Sequence, residues 1–114
     1  LESGAGWIGY WLDRLDAVYA ATFLGERVPL RDKPSLYFRR QCWISCDPDE
    51  RTVPALAELY GEDRFFWASD FPHPDHTGDY LEELESLAAR MGERSRAMLL
   101  GGNVREAYRL TSPR

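Results

Sequence analysis

The chain has 114 residues, enough for one small domain, and its 44% hydrophobic and 13% aromatic content supplies the apolar surface that disordered segments lack. A net charge of −5, with Arg39-Arg40 as the only adjacent basic pair, offers no cation cluster to displace counterions, so no nucleic-acid partner is expected. No run of about 18 apolar residues is present, and no charged segment leads into an apolar one, so neither a membrane span nor a signal peptide is predicted.

The opening LESGAG, residues 1 to 6, reads as the end of a strand entering a glycine-containing turn. From Trp7 onward, Ile8, Trp11, Leu12, Leu15, Val18, Tyr19 and Phe23 recur at three- and four-residue steps. That spacing predicts an amphipathic helix, with Asp13, Arg14 and Asp16 off the apolar face and Gly25 as its stop. Val28 to Ser35, with Pro29 and Pro34 among charges, reads as a loop. Ser35 to Arg40 follows as a short helical turn capped by Ser35. Gln41 to Ser45 is the strand candidate, bounded by the Asp47-Pro48-Asp49 turn cluster.

A helix is predicted over Val53 to Tyr60, with Val53, Leu56, Ala57 and Tyr60 on one face and Gly61 ending it. Phe65 to Ser69 is a continuous apolar run of strand length, the pattern of a buried parallel strand, and it closes on Asp70. Asp79 then caps a helix whose apolar positions are Leu81, Leu84, Leu87-Ala88 and Met91. Another helical stretch runs from Arg94 to Leu100, Gly101-Gly102 interrupts it, and Asn103 caps a last short helix. Gly101 to Asn103 lacks the lysine and the longer glycine-rich loop of a nucleotide site, so a helix break is the better reading.

Strands alternating with helices predict an α/β fold with a parallel sheet and right-handed crossovers. Three such units are too few for a closed barrel of eight. Cys42 and Cys46 on one strand would lie about 13 Å apart at roughly 3.3 Å per residue. A disulfide spans less than about 7 Å, so two reduced thiols are expected. With acidic charge and no targeting segment, they point to the cytoplasm. The first residue is Leu1 rather than Met, which points to an internal start or a processed product.

The chemistry concentrates in WASDFPHPDH, residues 67 to 76. A hydrophobic strand delivers Asp70 at its C-terminal end, where parallel α/β folds collect their catalytic residues. His73, Asp75 and His76 follow within six residues, and Pro72 and Pro74 stiffen the loop between them. A carboxylate so placed can bind a divalent cation or move a proton. The plainer alternatives are an aspartate that caps the next turn and a solvent-exposed histidine. A metal site made from Asp70, His73 and His76 alone would lack the converging rigid ligands that zinc usually takes.

Four segments together resemble the amidohydrolase-related family that includes aminocarboxymuconate-semialdehyde decarboxylase and the resorcylate-type aromatic acid decarboxylases. They are ESGAGWIGYWLDRLD (2–16), PSLYFRRQCWIS (34–45), FFWASDFPHPD (65–75) and GGNVREAYRL (101–110). The resemblance implies the C-terminal three βα units of a TIM (β/α)8 barrel, from the sixth strand to the final helix, in a single partial domain. It gives Asp70 the role of the aspartate at the end of strand eight, which ligates a divalent metal, zinc being the leading candidate, and can shuttle a proton. His73 matches a loop histidine that shapes the substrate pocket. Glu2 stands where the decarboxylase branch carries a histidine in an HGGG-like turn, which leaves decarboxylation and metal-assisted hydrolysis both open. Trp7 and Arg40 are further pocket candidates, beside plainer roles as a helix-start packing residue and an ion-pair partner.

The family's other metal ligands, an HxH pair on strand one and a histidine on strand five, have no counterpart, since His73 and His76 are the only histidines. The chain alone is therefore expected to hold no stoichiometric metal. The edges of an incomplete barrel expose unpaired strands, which predicts either a homo-oligomer or a complementary N-terminal portion as partner. Two functions compete. One is a part of a metal-dependent hydrolase or non-oxidative decarboxylase of small carboxylated substrates, inactive by itself. The other is a non-catalytic α/β module or assembly partner with no metal site.

Overall fold

Two short strands sit at the centre of the fold, which a computed structural model describes for residues 3–21, 29–73 and 79–111. Strand β1 (Ile44–Cys46) pairs in parallel with β2 (Phe65–Trp67), with Ile44 opposite Phe65, Ser45 opposite Phe66 and Cys46 opposite Trp67. The ladder reaches past both ends: the Ile44 N–H donates to the Arg64 carbonyl at 2.9 Å and the Ala68 N–H to that of Cys46 at 3.2 Å. Around the sheet lie α1 (Ile8–Ala20), α2 (Pro34–Gln41), α3 (Val53–Tyr60) and α4 (Tyr80–Ala88). The chain closes on α5 (Glu93–Ala97), a segment Met98–Gly102 kinked at Gly101, and α6 (Asn103–Ala107). Parallel strands joined through α3 make the α/β arrangement that the alternating pattern predicts.

Helix α3 has the bounds the sequence predicts. Pro54 sits in its first turn, where a missing N–H costs nothing, and Gly61 ends it at φ 120, a conformation L side chains rarely adopt. Its buried face of Val53, Leu56, Ala57 and Tyr60 packs into one core with Phe65, Leu84, Leu87, Ala88 and Leu99. Phe65 is fully buried and meets Phe38 of α2 edge-on, with ring centroids 6.3 Å apart. Edge-on contact sets the positive rim of one ring against the negative face of the other.

Other boundaries differ from expectation. Helix α1 stops at Ala20, because Ala21 turns extended at ψ 125; Gly25, the expected stop, lies outside the described residues. Helix α2 begins at Pro34 with Lys33 before it, so Ser35 is not its cap. Instead the Ser35 backbone N–H and hydroxyl donate to the two carboxylate oxygens of Asp16, at 2.9 and 2.6 Å, docking α2 onto α1. Burial raises the Asp16 carboxyl, but these two bonds and the Lys33 ammonium at 3.3 Å outweigh it and hold the group below its ordinary value. Gln41 belongs to α2 rather than to a strand, and β1 starts three residues later than predicted. Helix α2 runs one residue past its expected end, closed by the Cys42 N–H on the Phe38 carbonyl.

At the other end, Asp79 precedes α4 without a side-chain capping bond. The final helical run breaks at Gly101, as the sequence predicts, with φ 175 and ψ −19, but Asn103 is not a cap: it is the first residue of α6 and is fully buried. Its Nδ2 donates to the carbonyls of Glu62 at 2.8 Å and Phe65 at 2.6 Å, tying α6 to the start of β2. The Glu62 side chain completes the junction by accepting from the Ser95 hydroxyl and the Arg94 guanidinium. Gly102 packs closely: a Cβ there would stand 2.8 Å from the mobile Met98 sulfur and 3.3 Å from the Ala97 carbonyl oxygen.

Cys42 is exposed and Cys46 fully buried, both as free thiols. Burial, with Glu50 and Asp47 adding repulsion, pushes the Cys46 thiol up to about 12, which keeps it in its unreactive protonated form. The outer face of α1 carries Trp7, Tyr10, Trp11 and Val18 to the surface, with Tyr10 71% exposed. Among the described residues, no helix is long and apolar enough to cross a membrane.

Candidate active site

Parallel pairing aligns the C-terminal ends of β1 and β2, and the candidate chemistry collects there. After Trp67 the chain runs through Ala68 and Ser69 to Asp70, whose φ of 50 lies in the left-handed region that aspartate tolerates better than most residues. The next three residues fold back: the His73 N–H donates to the Asp70 carbonyl at 2.8 Å, across a cis Phe71–Pro72 peptide. A four-residue turn with cis-proline in its third position is the type VI geometry. The Ser69 hydroxyl accepts from the Phe71 N–H at 3.3 Å and fixes the entry to the turn.

This turn brings two predicted site residues together. Asp70 Oδ2 and His73 Nδ1 stand 3.9 Å apart, with the side chains 49% and 52% exposed. The distance exceeds a hydrogen bond but allows an ion pair when the imidazole carries its proton. Glu2, Asp75 and His76 lie outside the described residues. Trp7 Nε1 donates to the Gly4 carbonyl at 2.9 Å, at the start of α1.

Arg40 is placed elsewhere. It precedes β1 while Asp70 follows β2, so the parallel register sets them at opposite ends of the sheet. There Arg40 pairs with Asp32 at 2.8 Å and stacks on the Tyr37 ring at 4.6 Å. The structure thus gives Arg40 an ion pair on its own helix's flank and does not bring it to Asp70.

A residue that the sequence reading passes over dominates the same end of the sheet. Glu50, in the loop after β1, accepts from the Ala5 N–H at 2.9 and 2.8 Å, the Gly6 N–H at 2.7 Å and the Asp47 N–H at 3.0 Å. The signal was available: a Gly-Ala-Gly turn ahead of a helix leaves backbone N–H groups that need an acceptor. What sequence alone lacks is the fold that brings position 50 to position 5.

No three of the described His, Cys, Asp and Glu residues converge so as to hold a metal ion. Asp70 offers one carboxylate, with His73 beside it, and these donors do not by themselves fit a metal centre. Two surface grooves, of about 440 and 550 Å³, flank α4 and α3, and Asp70 lines neither.

A family profile described as Amidohydrolase matches residues 4–110. Among solved structures, the chain is similar to 5-carboxyvanillate decarboxylase from Sphingomonas paucimobilis, with 32% sequence identity and a TM-score of 0.69. The similarity covers 92% of this chain and 31% of the decarboxylase chain, so the chain spans about a third of the length of the structure it matches. No curated protein matches. The decarboxylase is a TIM-barrel enzyme, and the parallel strands with flanking helices correspond to part of that barrel. With nearly its whole length inside the family profile and a solved decarboxylase sharing its backbone path, the chain belongs to the amidohydrolase family.

Proposed function

We propose that this chain is the Asp70-bearing portion of a metal-dependent hydrolase or non-oxidative decarboxylase acting on small carboxylated substrates, and that it is inactive by itself. Asp70 carries this reading: it ends a parallel strand of an amidohydrolase fold with its carboxylate half exposed. In (β/α)8 barrels that end of the strands bears the chemistry. Amidohydrolases generally use a divalent metal, and zinc is the leading candidate. Asp70 would be one ligand of such a metal, and its carboxylate can also handle a proton.

Asp70 can hold a proton for the carbon that loses carbon dioxide, or take one from an attacking water. The His73 imidazole lies 3.9 Å from its carboxylate. In the decarboxylation reading the bond between ring and carboxylate breaks, carbon dioxide leaves, and the proton from Asp70 goes to the ring carbon. The aromatic acid of the similar solved enzyme, 5-carboxyvanillate, is the first substrate to assay.

The 114-residue chain titrated with zinc and with manganese in a calorimeter should bind neither more tightly than about 1 mM, near −4.1 kcal/mol. Stoichiometric micromolar binding would overturn the incomplete-site reading. Joined to upstream barrel strands that supply the remaining ligands, the chain should turn over 5-carboxyvanillate. Asp70→Asn should then lower kcat by about 10²- to 10⁴-fold, the range for losing a positioned proton donor or acceptor. A non-catalytic module, in which Asp70 only caps a turn, is the second reading. It requires Asp70→Asn to change stability alone.

A further inference from the structure

The Gly4–Gly6 turn that leads into α1 holds an anion, and the anion comes from the chain itself. Gly4 has φ +60, and the following N–H groups of Ala5 and Gly6 point to one spot, the concave arrangement that binds anions in many proteins. Both oxygens of Glu50 occupy that spot, and one of them also takes the Asp47 N–H, the first donor past β1. A Cβ at position 4 would stand 2.6 Å from Glu50 Oε1, and one at position 6 would stand 3.3 Å from it. Glycine at position 4 thus serves twice, for its left-handed backbone and for the approach of the carboxylate.

Asp47 follows β1 directly, so Glu50 binds the turn to the same end of the sheet that carries Asp70. We propose that Glu50 is a positioning residue: its carboxylate fills the anion nest of the Gly4–Gly6 turn, fixes that turn against the C-terminal end of β1, and keeps a substrate carboxylate out of it. The positioning part rests on the functional reading above, which places the active site at this end. The nest-filling part stands without it. Glu50 touches no reacting atom in this scheme; it sets where the wall of the site stands.

The test compares Glu50→Gln and Glu50→Ala with the parent 114-residue chain by amide hydrogen exchange in NMR. In Glu50→Ala the Ala5, Gly6 and Asp47 amides should exchange at least about tenfold faster, as follows from losing a hydrogen bond to a charged group. The Gly61 amide, bonded to Ala57 at 3.0 Å, should not change. Added formate should restore protection at the three amides by entering the vacated nest. Glu50→Gln, of the same shape but neutral, should lie between, and it decides the matter if Glu50→Ala fails to fold.

Unchanged rates at the three amides, an equal acceleration at every amide, or failure of formate to rescue would each overturn the proposal. In the completed barrel described above, Glu50→Gln should lower kcat on 5-carboxyvanillate about tenfold while KM stays within about twofold, the mark of geometry lost in the transition state. Selective loss of protection with kcat unchanged would overturn the positioning role. The two failures are distinct. Unaltered exchange sinks the nest whatever the enzyme does, whereas a completed parent protein without turnover sinks the functional reading and leaves the exchange result standing.

Discussion

Replacing Phe65 by alanine should remove about 3–5 kcal/mol of stability, the usual loss for a phenylalanine truncated in a packed core. Three features put Phe65 at the top of that range. It is fully buried, it sits on β2 opposite Ile44, and its ring is the edge-on partner of Phe38. Little can collapse into the gap, because the strand backbone is pinned through Asn103 on one side and β1 on the other. Domains of this size have about 5–15 kcal/mol in total, so the variant should melt far earlier or not fold. Urea denaturation followed by circular dichroism measures this, with Phe66→Ala as control, since Phe66 is only half-buried. A loss under about 1 kcal/mol at Phe65 would show that the site relaxes freely and that the core is not organised around this ring.

Asn103 should be nearly as sensitive, through hydrogen bonding rather than volume. Its Nδ2 serves two backbone carbonyls, while its Oδ1 is buried without a partner. Asn103→Leu keeps the approximate size, loses nothing at Oδ1, and strands both carbonyls at about 1–3 kcal/mol each. Asn103→Asp should be worse near neutral pH, because a carboxylate would then face two carbonyl oxygens. Repulsion and burial would raise its folded pKa above the unfolded value of about 3.9. The sign follows: the aspartate variant is least impaired below that value and loses stability as pH rises through the folded pKa. Denaturation midpoints of the two variants across the acid range test this. An aspartate variant whose deficit is the same at all pH values would mean that its side chain escapes to solvent.

Much of the architecture is legible from local pattern, and the misses share a cause. Helix α3 is read to the residue because Pro54, the apolar face and Gly61 all act within one segment. Strand β2 is read in place but two residues too long, since it ends at Trp67 rather than Ser69 and only Phe65 of the run is buried. Ser35 and Asn103 are misjudged, and Glu50 passed over, because each bonds to groups far along the chain: Asp16, Phe65 and Ala5. Local rules assign a serine or asparagine beside a helix to its cap, and only the tertiary fold shows that these side chains staple separate elements. The site is split the same way. Asp70 and His73 stand out in the sequence, Arg40 is a weaker candidate that the parallel register sends to the opposite end, and Glu50 is hidden among turn residues.

The Glu50 contact also bears on the order in which the chain takes shape during synthesis. Ala5 and its acceptor are 45 residues apart. A ribosome adding about 5–20 residues per second has therefore worked for seconds between making the turn and making its anion. Until Glu50 emerges, the head of α1 has only its own helical bonds and neighbouring N–H groups open to water. The Gly4–Gly6 turn is thus made well before the residue that fixes it, and its final geometry is dictated by the chain that follows it.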